Sequence, residues 1–194
     1  MKKPAASAAF KIRHLKPTDQ KNLAAFFLTL SPETLNRWNR FGTHFTPKHA
    51  QAVAAAQIAK PLREEQGFVA YQGDRLAGYA YLRFFPEKPQ KSGTASLGII
   101  ISDEFQSRGL GRRMMEVMEQ YCRERKFKKI WLSTYSDNER TLPFYKGLGY
   151  IAEGIFMFDE FFGPKPRHVI SMAKFLSPQM QKTARQLKQR FLPD

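Results

Sequence analysis

Apolar and polar positions along the chain switch repeatedly between two periods. FKIRHL (10–15) alternates apolar and basic residues with the period of two expected of a half-buried strand. After Pro17 the spacing lengthens: Leu23, Phe26, Phe27 and Leu30 recur at helical intervals. SPET (31–34) supplies a capping serine, a proline at the first helical position and Glu33 in the first turn, which predicts a short helix carrying Leu35 and Trp38 and ending near Gly42. Thr46 and Pro47 repeat that start signal for a third helix over TPKHAQAVAAAQIAK. GFVAYQGDRLAGYAYLRFF (67–85) then reads as two strands joined by a tight turn at QGDR. TASLGIIIS (94–102) is an apolar run short enough for a buried central strand.

The helical period returns at Leu110, Met114, Val117, Met118, Tyr121 and Cys122, one face of a long helix whose other face is charged. KKIWLSTY (128–135) is a strand, and NERTLPFYKGLGY holds a short helix stopped by glycine. YIAEGIFMFDEFF and RHVISMAKFL are two further strands. The tail has Met180, Ala184, Leu187 and Phe191 on one stripe of a basic amphipathic helix. This order predicts an α/β (α+β) fold, a mixed sheet flanked by helices without internal repeats. The expected organisation is a flexible leader (1–9), one domain (10–176) and a basic C-terminal helix (177–194).

Composition narrows the classes. Hydrophobic content of 42% with 13% aromatics excludes a generally disordered chain. The 32 basic and 17 acidic residues leave a net charge of +15, which favours anionic partners: nucleic acid, acidic lipid or a polyanionic cofactor. The single cysteine, Cys122, excludes an internal disulfide and fits a reducing compartment, so a cytoplasmic location is expected. No signal peptide is predicted after Lys2 and Lys3, and no apolar run reaches membrane-spanning length. His14, His44, His49 and His168 lack metal-ligand spacing, so no metal is expected. Monomer and homodimer both remain open.

Candidate chemistry concentrates at EFQSRGLGRR (104–113), where two glycines sit at a strand-to-helix junction although glycine costs a helix interior about 1 kcal/mol relative to alanine. The first amides of a helix lack internal partners and the helix dipole adds positive potential, so bare backbone there suits an anion. Arg108, Arg112 and Arg113 reinforce that field. A Walker loop would need a Gly-Lys-Ser/Thr ending, and a dinucleotide fingerprint would need a small residue where Met114 stands.

Gln106-Ser-Arg-Gly109-Leu-Gly111 resembles the acetyl-CoA signature Q/R-x-x-G-x-G/A of the GNAT superfamily of N-acetyltransferases, and Ile99, Ile100 and Ile101 precede it at the expected distance. Asn138-x-x-Thr141-x-x-Phe144-Tyr145-x-x-x-Gly149-Tyr150 resembles the family's second segment. The likeness covers residues 67 to 174 and implies a mixed, mainly antiparallel sheet of about seven strands with a C-terminal helix. It implies acetyl-CoA as co-substrate, with main-chain groups of Ile99 to Ile101 facing the pantetheine arm. Ser107, Arg108, Gly109, Leu110, Gly111 and Arg112, introduced by Gln106, would wrap the pyrophosphate, and Asn138 and Tyr145 would lie along the thioester end.

The implied reaction is direct attack of a neutral amine on the thioester, which requires a route for the amine proton and a donor for the departing sulfur. Tyr145 occupies the family's donor position, and packing beneath the cofactor is its alternative role. Some members carry a glutamate five residues before the asparagine, where this chain has Ser133. Asp159, Glu160, His168 or a water relay are the remaining routes. LNRWNRFGTHF and DEFFGPKPRH are the segments that would frame the acceptor, with Trp38, Phe41, Phe161 and Phe162 as aromatic walls. The acceptor itself, a small amine or a protein lysine or N-terminus, is left open. The competing class is a catalytically weak basic module binding RNA or ribosomes through RERKFKK (123–129) and the tail lysines and arginines.

Overall fold

The structure, a computed structural model, describes residues 9–38, 44–160 and 166–191, leaving aside the side chains of Pro89 and Phe191. Phe41, Phe161, Phe162 and nearly all of the leader lie outside the described residues. The strands are β1 (Lys11–His14), β2 (Glu65–Gln72), β3 (Arg75–Arg83), β4 (Thr94–Ile101), β5 (Lys129–Tyr135), β6 (Ile151–Glu160) and β7 (Arg167–Phe175). The helices are α1 (Gln20–Leu28), α2 (Pro32–Trp38), α3 (Pro47–Ile58), α4 (Leu110–Glu124), α5 (Thr141–Gly147) and α6 (Pro178–Phe191).

The sheet order is β1-β2-β3-β4-β5-β7-β6, the seven-stranded, mainly antiparallel sheet that the motifs implied. β1 and β2, β5 and β7, and β6 and β7 pair antiparallel, whereas β4 and β5 pair parallel. A parallel pair needs a crossover connection, and α4 supplies it. The β4–β5 register runs from Thr94↔Lys129 to Ser96↔Trp131, at the first residues of each strand.

Contacts group the chain into two compact units, Met1–Tyr81 with Ile99–Val117, and Leu82–Gly98 with Met118–Asp194. In the first, Leu23, Phe26 and Phe27 of α1 join Ala50, Val53 and Ala54 of α3 in a core that includes Tyr79 and Ile100. Phe27 stacks on Phe45 and meets Tyr79 edge-on, with ring centroids 5.2 and 6.0 Å away. Thr46 caps α3 by accepting from the His49 amide at 3.2 Å. Asp19, 2% exposed, is held by Arg13 through two hydrogen bonds of 2.7 Å and by the Tyr71 hydroxyl at 2.9 Å. Burial pushes its carboxyl upward, but the Arg13, Lys16 and Tyr71 hydrogen bonds prevail and hold it below the usual carboxylate range.

In the second unit, β5 sits between β4 and β7, and β6 forms the sheet edge. The Trp131 indole donates to Ser171 at 2.6 Å, and Lys174 pairs with Glu119 at 2.6 Å. Two packing expectations change. Val117 of α4 is exposed while Met115 is fully buried, so the buried stripe is broader on one flank than the simple spacing suggested. Leu187 of the α6 stripe is exposed. Ile155, Phe156, Met157 and Phe158 form an apolar run in β6 that stays exposed on the edge strand. No described helix is long and apolar enough to cross a membrane.

Candidate functional site

The junction between β4 and α4 is built from main-chain conformation. The chain leaves Ile101, makes a short 3-10 turn over Asp103–Phe105 and reaches Ser107 and Gly109, with φ of 60° and 77°. A β-carbon at Gly109 would meet nothing within 4 Å. Its requirement for glycine is therefore the left-handed backbone rather than crowding by the protein. Among the described residues, the amides of 107 through 112 donate to no backbone carbonyl, and the α4 ladder begins with the Arg113 amide donating to Gly109 at 3.2 Å. Unpaired amides at alternating backbone hand, opening a helix, are an arrangement with the capacity to take an anion.

The supports of this loop were not evident from sequence. Asp103 accepts from the Ser31 amide at 3.0 Å, from the Ser31 hydroxyl at 2.7 Å and from the Thr34 hydroxyl at 2.7 Å. Burial pushes its carboxyl upward, yet the Ser31 and Thr34 hydrogen bonds hold it below the ordinary value. The Gln106 amide nitrogen donates to the Thr34 hydroxyl and to the Ile101 carbonyl, both at 3.1 Å. Gly78 on β3 allows close packing behind the junction, since a β-carbon there would lie 2.7 Å from Ile101 Cδ1 and 3.0 Å from Met114 Sδ. Arg108, Arg112 and Arg113 are exposed. Arg113 donates to the Phe10 carbonyl at 3.1 Å, and Arg108 lies 5.7 Å from the Phe105 ring centroid.

In the second unit, Asn138 is buried at the entry to α5, where its carbonyl accepts from the Thr141 amide at 3.1 Å and hydroxyl at 3.3 Å. Tyr145, also buried, lies on α5 with its ring centroid 5.2 Å from that of Phe144 and 5.8 Å from that of Tyr150. Gly149, with φ of 87°, terminates the helix as expected. The three carboxylate or imidazole candidates separate clearly. Asp159 is exposed. His168 accepts the Phe158 amide at Nδ1, 3.0 Å away, which leaves the neutral ring's proton on Nε2. Glu160 accepts from the Tyr135 hydroxyl, and burial raises its carboxyl above the ordinary value despite the opposing charge of Arg167.

Arg167 organises this corner. Its guanidinium carbon is 3.3 Å from the Tyr135 ring centroid, and it pairs with Asp137, next to Asn138, at 2.7 Å. Neither Tyr135 nor Arg167 carried a motif in the sequence. Cys122 is fully buried, and burial, followed by the charge of Glu119, pushes its thiol up to about 12, which removes it as a nucleophile at neutral pH.

The acetyltransferase (GNAT) family model matches residues 33–150. The chain belongs to this family. Among curated relatives, the spermine/spermidine N(1)-acetyltransferase of Bacillus subtilis is 34% identical over a stretch covering 43% of this chain and 57% of the relative. The chain thus aligns with little more than half the length of that GNAT relative. Among solved structures, spermidine N-acetyltransferase from Vibrio cholerae, in complex with CoA and spermine, superposes with a TM-score of 0.72 at 20% identity, covering 88% of this chain and 98% of that one. The ribosomal-protein-S18-alanine N-acetyltransferase of Escherichia coli gives 0.66 at 21% identity, covering 87% and 95%. At these identities the structures establish the GNAT fold and nothing finer.

Proposed function

We propose that this GNAT protein transfers the acetyl group of acetyl-CoA to a primary amine by direct attack. The observation that carries the reading is the run of unpaired amides from Ser107 to Arg112 at the start of α4. In this reading those amides hold the pyrophosphate, with Arg108 and Arg112 adding positive field, and main-chain groups of Ile99 to Ile101 serve the pantetheine arm. The amine nitrogen bonds to the thioester carbonyl carbon, the carbon–sulfur bond breaks, and the departing thiolate takes a proton from Tyr145. Asn138 sets the entry to the helix that carries this tyrosine.

Glu160 is the group we assign to the amine proton. Ser133 leaves the family's carboxylate position empty, while Ser133 and Tyr135 share one face of β5, and the Tyr135 hydroxyl reaches Glu160. A carboxylate raised toward neutrality is a better base than an ordinary one. The named relatives support an aliphatic polyamine as the first acceptor to try, but a chain of net charge +15 repels a polycation at long range. The Michaelis constant for spermidine is therefore expected to fall as salt rises through the range where the Debye length shrinks.

The test follows thiol release from acetyl-CoA over a panel of polyamines, peptides and aminoglycosides. Turnover is expected with at least one amine, with Tyr145→Phe lowering kcat about 100-fold at unchanged acetyl-CoA affinity. Full activity in Tyr145→Phe would remove this residue from the chemistry. The exposed Arg123, Arg125, Lys126 and Lys128 favour a second reading, binding to RNA. Salt-sensitive RNA binding by the wild-type chain, with no turnover across the panel, would select it.

A further inference from the structure

Hydrogen bonds around Gln106 join the loop after β4 to the start of α2. The Ile101 carbonyl only accepts, so the Gln106 atom facing it is the amide NH2, whose other hydrogen goes to the Thr34 hydroxyl oxygen. Asp103, ionised, also only accepts, so the hydroxyl hydrogens of Thr34 and Ser31 both point to it. Each hydroxyl then has its lone pairs directed elsewhere: that of Thr34 to Gln106, that of Ser31 to the Thr34 amide at 3.2 Å. The Leu35 amide donates to the Ser31 carbonyl at 3.0 Å, closing the first turn of α2. Each proton in the network has one direction, and the first turn of α2 is written into the same network as the residues flanking the unpaired amides.

Two consequences follow for Gln106. Both its N–H groups are occupied, and the remaining amide oxygen is an acceptor, which a phosphate oxygen repels. Anion binding at this loop therefore does not run through the Gln106 side chain.

We infer that Gln106, Thr34 and Asp103 are positioning residues that hold the Ser107–Arg112 amides in their anion-binding arrangement and tie that arrangement to the first turn of α2. The inference rests on the acetyl-CoA reading above. Since linkage is reciprocal, an anion that stabilises the loop must also stabilise the start of α2, and loosening the start of α2 must weaken the anion. Thr34 is the node: it is 8% exposed, donates to Asp103 and accepts from Gln106. Its replacement by valine keeps the shape and deletes both bonds.

The experiment titrates CoA into the full chain by calorimetry and follows amide hydrogen exchange over residues 31–38 with and without CoA. In the wild type, CoA is expected to slow exchange in α2. Thr34→Val is expected to bind CoA about tenfold more weakly, with no slowing in α2, whereas Thr34→Ser, which restores the hydroxyl, stays within about threefold of the wild type. If Thr34→Val fails to fold, Gln106→Met, on the loop itself, is read in the same way. Wild-type affinity in the hydroxyl-deleted or amide-deleted variant, or equal slowing of α2 in it, overturns the inference while leaving the coenzyme reading intact. Absence of CoA binding to the wild type overturns both.

Discussion

The loop after β4 and the corner around Glu160 are built by opposite means. The loop offers main-chain amides whose direction is set by φ at Ser107 and Gly109, and side chains enter mainly as supports. The corner is made of side chains from three strands and a turn: Tyr135 from β5, Glu160 from β6, Arg167 from β7 and Asp137 from the turn before α5. A main-chain site tolerates side-chain change wherever the backbone path survives. A side-chain site fails when one partner is removed, because the buried groups left behind lose their compensation.

This contrast is broken most sharply at Glu160. Glu160→Gln keeps the size of the side chain and removes the carboxylate proposed as the base, and kcat is expected to fall about 100-fold. In the wild type, rate is expected to decline as pH falls through the raised Glu160 value, since only the ionised carboxylate accepts the amine proton. A pH–rate profile whose acidic limb persists unchanged in Glu160→Gln would exclude this carboxylate as its source. Asp159→Asn, on an exposed position of the same strand, is the matched control and should leave the limb in place.

The loop should respond to backbone rather than to chemistry. Gly109→Val places a β-branched residue at φ of 77°, a cost of about 1–2 kcal/mol, and CoA affinity is expected to fall about tenfold while kcat at saturation changes little. A large kcat effect with unchanged affinity would show that the loop does more than bind.

The smallest expected effect lies beneath Tyr145. The Tyr150 hydroxyl is buried with no hydrogen-bond partner among the described residues, and burial, followed by Glu119 and Tyr145, pushes its ionisation far above the ordinary phenol value. Tyr150→Phe should therefore raise stability by about 1 kcal/mol in denaturant titration. A loss of stability would reveal a bound water satisfying that hydroxyl.

The same contrast explains what was legible in the sequence. The path of the loop after β4 was readable because a short contiguous segment determines it: glycine spacing, helix start and preceding strand are local features. Its anchors were not, since Asp103 and Ser31 stand 72 residues apart and are brought together by the fold, in the unit where α1 and β3 share a core. No sequence feature sets Glu160 apart from Asp159 or His168, whereas in the fold the hydroxyl of Tyr135, 25 residues away, reaches it. The helices and strands followed their periods closely. Val117 and Met115 exchanged roles because periodicity gives the direction of an apolar stripe, whereas its width depends on the surface beneath it. Glycine spacing predicts bare backbone at 109, and the positive φ there is a requirement that spacing alone does not express.

The acetyltransferase proposal requires that the unpaired amides take a coenzyme. Calorimetric titration of acetyl-CoA into the full chain, without acceptor, is the measurement that decides it. Saturable one-site binding that weakens about tenfold in Gly109→Val is the predicted result. Absence of binding to the wild type, or equal affinity in the two proteins, would contradict it.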